Sequence, residues 1–195
     1  MADSQAVFSS LPPDQYIVAV DVGGTNMVGA IVNHQGQLVH RQGILSIGDT
    51  PPEKRLVDLI GALIRKSGLK PESCVGIGLG VPGVTDERGE IVTLAPALNW
   101  HAFNLGGFVR DSLGLPVWVE NDVNCFLKGE QSLGSMRDVK NGIGITIGTG
   151  IGASLLINGH IYRGSRGAAG EMGYWVLDPF LQAQDFQGHG EFESF

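Results

Sequence analysis

Apolar residues recur along this chain in short runs divided by glycine and proline corners, and the period of the runs changes with position. Tyr16 and the apolar residues Ile17 to Val20 read as a buried strand, 16–21, that ends on Asp21. Gly23 and Gly24 make a corner, Thr25 and Asn26 follow, and a second apolar run gives a strand at about 27–33. His34-Gln35-Gly36-Gln37 is a polar turn, and Leu38 to Leu45 pairs back as a third antiparallel strand. The period then becomes helical. Thr50 is placed to cap, Pro51 suits a first turn, and Glu53 closes a capping box. Leu56, Leu59, Ile60, Leu63 and Ile64 fall on one face, and Gly68 is the expected stop.

Val75 to Val81 is apolar throughout and broken only by glycines, the pattern of a parallel strand buried on both faces. Pro82-Gly83 ends it. Asp86 to Gly89 is a turn, Ile91 to Leu94 a short strand, and Asn99-Trp100-His101 a loop. Asn104 caps a helix carrying Leu105, Phe108, Val109 and Leu113. Leu115 to Val119 is another buried strand, running into Glu120-Asn121-Asp122 and a helix with Val123, Phe126 and Leu127. The order is three strands followed by alternating helices and parallel strands, an α/β pattern. After Asn141 the opening restarts: strand 142–147, a Gly148-Thr149-Gly150 turn, strand 151–157, an Asn158-Gly159 hairpin, and His160 to Tyr162. This is a repeat of architecture with little identity of sequence. Two similar halves facing a cleft form a natural nucleotide site. The expected division is a leader at 1–15, a first lobe at 16–121 and the start of a second at 122–195.

Composition narrows the function classes. Glycine supplies 30 of 195 residues, gathered at strand ends and turns, so backbone approaches something closely at many places. The net charge of −7 argues against a nucleic-acid surface, though not against an anionic nucleotide held by backbone N–H groups. Cys74 and Cys125 make neither a zinc pattern nor a disulfide framework and read as buried thiols in a reducing cytoplasm. No signal peptide and no apolar run of membrane-spanning length is present, so a soluble cytoplasmic protein is expected.

Asp21 with Gly23, Gly24 and Thr25 reads either as a phosphate loop with a carboxylate for a metal or water, or as a tight hairpin corner. Gly148, Thr149 and Gly150 allow the same two readings. Asn121 and Asp122 sit where a strand gives way to a helix. They either cap that helix or lie at the carboxyl end of a strand, with Asp122 taking a proton from an attacking hydroxyl and Asn121 orienting it. Glu171, in the small-residue stretch 164–173, is either a polyol ligand or a solvated loop acid. His101, His160 and His189 have no metal spacing.

Together, DVGGTN at 21–26, GLGVPG at 78–83, LNW at 98–100, END at 120–122, GTGIG at 148–152 and GAAGEMG at 167–173 resemble the ROK family of repressors, open reading frames and sugar kinases. The resemblance implies the actin-like ATPase fold, also called ribonuclease H-like, with two similar lobes around a cleft. It implies transfer of the γ-phosphoryl of ATP, with Mg²⁺, to a hexose or N-acetylhexosamine, by a homodimer. Asp122 is then similar to the catalytic base, and Gly83, Asn99, Asn121, Glu171 and Glu193 to sugar contacts. Asp21 falls near metal and phosphates, Gly23, Gly24 and Thr25 in the first phosphate loop, and Gly148, Thr149 and Gly150 in the second. Tyr174 stands where the family often has a histidine, which leaves the sugar open. The stretch 184–194 lacks the family's zinc-loop cysteines, so no structural zinc is expected. The chain stops at Phe195, where family members continue, so the second lobe reads as incomplete. The rival function is a sugar-sensing domain of a ROK repressor. The short leader, without helical period or basic cluster, favours the kinase.

Overall fold

The computed structural model describes residues 11–148 and 150–175. The chain falls into two compact units, Met1–Cys125 and Phe126–Phe195.

The first unit is built on a five-stranded sheet. β1 (Tyr16–Val22), β2 (Asn26–Asn33) and β3 (Leu38–Leu45) form an antiparallel meander, as the alternation predicts. β4 (Cys74–Val81) adds parallel to β1, and β8 (Val117–Asn121) adds parallel to β4, giving the order β3-β2-β1-β4-β8. The carboxyl ends of β1, β4 and β8 therefore lie on the same edge of the sheet. Asp21, Val81 and Asn121 end there in adjacent registers, where open α/β sheets place their ligands.

α1 (Pro52–Ser67) carries the predicted apolar face. Leu56, Leu59, Ile60, Leu63 and Ile64 are all buried, each contributing roughly 1.5–3 kcal/mol relative to exposure. The helix lies so close to the sheet that a side chain on Gly29 of β2 would run into the Leu63 δ-methyl group. Gly68 ends it at φ 74°. The start differs from expectation. Pro51, not Thr50, occupies the cap, and no side chain bonds the first turn. Proline at the first helical position leaves no N–H there for a Thr50 side chain to bond.

Between β4 and α2 (Leu105–Leu113) lies a second, three-stranded sheet of β5 (Val84–Thr85), β6 (Val92–Ala95) and β7 (Trp100–Phe103). Only its middle strand was legible in the sequence. Trp100 and His101, expected in a loop, pair with Ala95 and Leu94. Strands of two to four residues are too short to show an alternation. Asn104 caps α2 as expected, its Oδ1 accepting from the Gly107 N–H at 2.8 Å. α3 (Asp122–Leu133) follows β8 without a break. Its first turn packs on β4, where a side chain on Gly80 would meet Cys125 Sγ at 3.5 Å. Cys74 is buried as expected, but Cys125 is exposed, as is Phe126. Both keep solvent access although each reaches a neighbouring strand, whereas Val123, Asn124 and Leu127 of the same helix are buried.

The second unit repeats the meander. β9 (Gly142–Ile147), β10 (Ile151–Ile157) and β11 (His160–Tyr162) pair antiparallel in the order β11-β10-β9. Asn158 and Gly159 turn the hairpin with φ of 53° and 82°. Positive φ at both corner residues matches the twist of the flanking strands. Among the described residues no helix is long and apolar enough to cross a membrane.

Candidate functional site

The corner after β1 takes the second of its two sequence readings. It is a hairpin, with Val22 opposite Met27 and the Gly23 N–H donating to the Asn26 carbonyl at 2.9 Å. It is also packed tightly on its surroundings. A side chain on Gly24 would meet the Ala97 methyl group at 2.9 Å. Ser46, just after β3, ties the corner from the other side. Its hydroxyl donates to the Gly23 carbonyl, its backbone N–H donates to the Thr25 carbonyl at 2.8 Å, and the residue is completely buried. Arg55 of α1 holds the same connection by donating Nε–H to the Leu45 carbonyl at 2.9 Å. Backbone fixed by buried hydrogen bonds at both flanks keeps its N–H directions without a ligand, which an anion site requires.

The second cluster is at the end of β8. Both polar groups of the Asn121 side chain have a partner within the protein. Its amide donates to the Gly83 carbonyl at 2.9 Å, and its Oδ1 accepts from the Asn124 N–H at 2.9 Å. It therefore caps α3 and holds the Gly83 loop. Gly83 has φ 84°, and a side chain there would collide with the Leu94 carbonyl oxygen, so only glycine lets this loop close on β6. Glu120 steadies the same corner, accepting from the Asn121 N–H and the Asn124 amide.

Asp122 follows at the first position of α3. One oxygen accepts from the Val123 N–H at 2.9 Å. Burial pushes its carboxyl above the usual range, against that hydrogen bond, and the nearby negative charge of Asp21 pushes in the same direction as burial. Desolvation also raises the Asp21 carboxyl. Asp21 is exposed as a residue, so solvent screens much of its effect, and Asp122 carries the electrostatic argument. Two carboxylates near enough to repel, with partial burial, favour either a retained proton or a cation.

Asn99 closes a short 3-10 turn, Pro96–Leu98, in the left-handed region at φ 56°, and its side chain is exposed. Next to it the Trp100 indole N–H donates to Glu53 Oε2 at 3.3 Å. The structure thus brings Gly83 and Asn121 into contact, and Asp21 and Asp122 into electrostatic range. Ala97, two residues before Asn99, lies against the Gly24 corner.

In the second unit the Gly148 N–H donates to the Gly150 carbonyl at 3.0 Å, closing the corner between β9 and β10. A side chain on Gly148 would meet nothing within 4 Å. The segment holding Glu171 docks on β10 through the Gly170 carbonyl, which accepts from the Ala153 N–H at 2.9 Å. Gly170 has φ 100°. Glu171 is half-buried. Thr149 and Glu193 lie outside the described residues, as does the stretch 184–194 where zinc ligands were sought. Among the described residues no group of three or more His, Cys, Asp or Glu is arranged to hold a metal ion. Sequence reasoning missed Ser46, Glu53 and the strand position of His101. A lone serine after a strand carries no local signal for a bond to residues more than twenty positions earlier.

The model of the ROK family matches residues 17–189. A xylose repressor from Bacillus spizizenii is 33% identical over 165 residues, which cover 84% of this chain and 43% of the repressor. A glucokinase from Streptomyces coelicolor is 32% identical over 162 residues, covering 83% of this chain and 50% of the enzyme. A crystal structure of a ROK family glucokinase from Streptomyces griseus, in complex with glucose and AMPPNP, superposes with a TM-score of 0.79 at 29% identity. That match covers 91% of this chain and 56% of the glucokinase chain. The chain spans about half the length of the relatives it matches. Its fold is that of the actin-like ATPases, the sheet order and repeated meander being the features seen above. On the extent of the family match, the chain belongs to the ROK family.

Proposed function

We propose that this chain is the part of an ATP-dependent sugar kinase that grips the sugar and primes its hydroxyl. The observation that carries the reading is Asp122: a half-buried carboxylate at the carboxyl end of a parallel strand, pushed toward higher pKa and not consumed by capping. A carboxylate tuned upward is a better acceptor for the proton of an alcohol at the moment of attack. Asn121 fixes the backbone on either side of it and sets the Gly83 loop that faces the sugar. Asn99 and Glu171 hydrogen-bond sugar hydroxyls, and Glu193 and Thr149 complete the sugar and phosphate contacts. The Gly23–Thr25 corner presents backbone N–H groups to the phosphates, and Gly148 and Gly150 do so in the second unit. Asp21 would hold Mg²⁺, which supplies positive charge against the transferring phosphoryl group. The negative charge of Asp21 suits that assignment, since it would attract a cation to the same sheet edge.

The second reading is the sugar-sensing part of a repressor, supported by the 33% identity to a xylose repressor. The two readings separate in one experiment. The intact protein with Mg-ATP is screened for sugar-dependent ADP release over hexoses and N-acetylhexosamines. The kinase reading expects turnover that Asp122→Asn lowers by about 10²–10⁴-fold, with sugar affinity nearly retained. Sugar binding with no ATP consumption would establish the sensor instead.

A further inference from the structure

β8 runs into α3 with no residue between them, so Asp122 stands in the first helical turn and the junction sets its backbone. Three hydrogen bonds close a ring around that junction. The Asn121 N–H donates to Glu120 Oε1 at 2.9 Å, and the Asn124 carboxamide donates to the same oxygen at 3.0 Å. The Asn124 N–H donates to Asn121 Oδ1 at 2.9 Å. In sequence Asp122 lies between two members of the ring, Asn121 and Asn124. Its Cα also rests on β4, where a side chain on Gly80 would meet it at 3.6 Å.

The ring is a capping box with one part displaced. In that motif the side chain of the third helical residue accepts the N–H of the cap residue. Here Glu120, one position before the cap, accepts that N–H, and Asn124, the third helical residue, donates its amide to Glu120. The helix start does not need this last bond for its N–H groups. The Asn124 N–H is paired with Asn121 Oδ1, and the Asn121 N–H with Glu120. Yet the Asn124 side chain is buried, at 5% exposure, where a polar group is costly unless it is bonded. A buried carboxamide in this place ties the first turn of α3 to the end of β8 across Asp122. The Asp122 carboxylate bends back to the Val123 N–H at 2.9 Å. Its direction therefore follows the backbone of residues 121–123, which the ring holds.

We propose that Asn124 is a positioning residue: by bonding Glu120 it fixes the turn that carries Asp122 and so sets where that carboxylate points. This rests on the reading of Asp122 as the group that takes the proton of the sugar hydroxyl. Asn124 acts through Asp122 and not on the sugar, so its effect falls on kcat and leaves KM alone.

The test joins kinetics to a titration, both on the intact protein. Turnover is followed as ADP release with Mg-ATP and glucose, mannose, galactose or N-acetylglucosamine. Asn124→Asp keeps the shape of the side chain, removes the donor and sets a second carboxylate against Glu120. It is expected to lower kcat about ten- to a hundredfold, with KM for sugar and for ATP within about twofold of wild type. Adding Glu120→Gln supplies an amide donor to the new carboxylate and is expected to recover most of the loss. The Asp122 carboxyl, held above the ordinary range by burial, is titrated by carbon NMR in wild type and in Asn124→Ala. In the variant it is expected to move down toward an ordinary aspartate, because a loosened turn admits water. Asn124→Ser takes the place of the alanine variant if that does not fold. A lower melting midpoint with wild-type kcat and wild-type titration would make Asn124 a helix cap and overturn the positioning role. A raised sugar KM at unchanged kcat would overturn it too, as would a folded double variant with no recovery. If wild type consumes no ATP with any of these sugars, the kinase reading falls and the titration alone decides. A downward move then keeps the positioning role, and an unmoved one removes it.

Discussion

Replacing Ser46 with alanine tests whether the first glycine corner is held rigid by the protein. The residue is completely buried, and its hydroxyl is the donor to the Gly23 carbonyl, while its backbone N–H holds the Thr25 carbonyl. Ser46→Ala removes the first bond and keeps the second. The Gly23 carbonyl then loses its donor in a place only partly reached by water. A buried acceptor left unpaired costs about 1–3 kcal/mol, and partial access to water puts this case near the lower end, about 1 kcal/mol. For a chain of this size that is a fall of about 2–4 °C in the melting midpoint. The functional effect is expected to be specific. A corner that must be ordered on binding binds phosphate more weakly, so KM for Mg-ATP is expected to rise about five- to tenfold, with KM for the sugar nearly unchanged. Ser46→Thr keeps the hydroxyl and is expected to restore most of the nucleotide affinity. The assay is coupled ADP release at varied ATP and at varied sugar, with thermal melts of the same samples. A KM for ATP equal to wild type, alongside the expected fall in stability, would show that the corner does not depend on Ser46 for its shape. Equal loss for ATP and sugar would point to general loosening.

Asp122→Asn is expected to raise stability at neutral pH while removing turnover. A carboxyl whose pKa is raised by folding contributes stability that is present below its unfolded value, near 4, and is lost as pH rises through the folded value. The gain over wild type in urea melts should therefore be largest near neutral pH and vanish below the ordinary carboxylate range. An identical gain at every pH would remove the electrostatic account. On the same grounds, turnover should fall on the acid side at a pH above that of an ordinary aspartate, as a pH-rate profile would show; an ordinary midpoint would contradict it. Gly83→Ala is expected to cost more than about 3 kcal/mol, because φ 84° is unfavourable for alanine and the new methyl group meets the Leu94 carbonyl. A wild-type urea midpoint would refute this. Asn104→Ala removes the side-chain bond that caps α2 and is expected to cost about 1 kcal/mol by the same measurement, with no change in sugar affinity.

Periodicity was enough to define the elements whose stability is mainly local or rests on one repeated face. The face of α1 from Leu56 to Ile64, the cap at Asn104, the stop at Gly68 and the hairpin at Asn158-Gly159 follow from residue chemistry alone. The motifs around Asp21, Gly83 and Asp122 also stood out, because glycines and carboxylates gather there at strand ends. What the linear pattern did not contain were interactions between distant segments. The three short strands β5, β6 and β7 form by pairing with one another and by burying Val92, Ala95 and Trp100 in the core. Ser46 matters because folding sets β3 beside β2 and so brings it under Gly23. Asn121 had two sequence readings, and tertiary contact assigned its two polar groups to the Gly83 carbonyl and the Asn124 N–H. Burial of Asp122 beside Asp21 likewise depends on two parallel strands ending at one sheet edge, since a carboxylate's pKa is set by its surroundings and not by its neighbours in sequence.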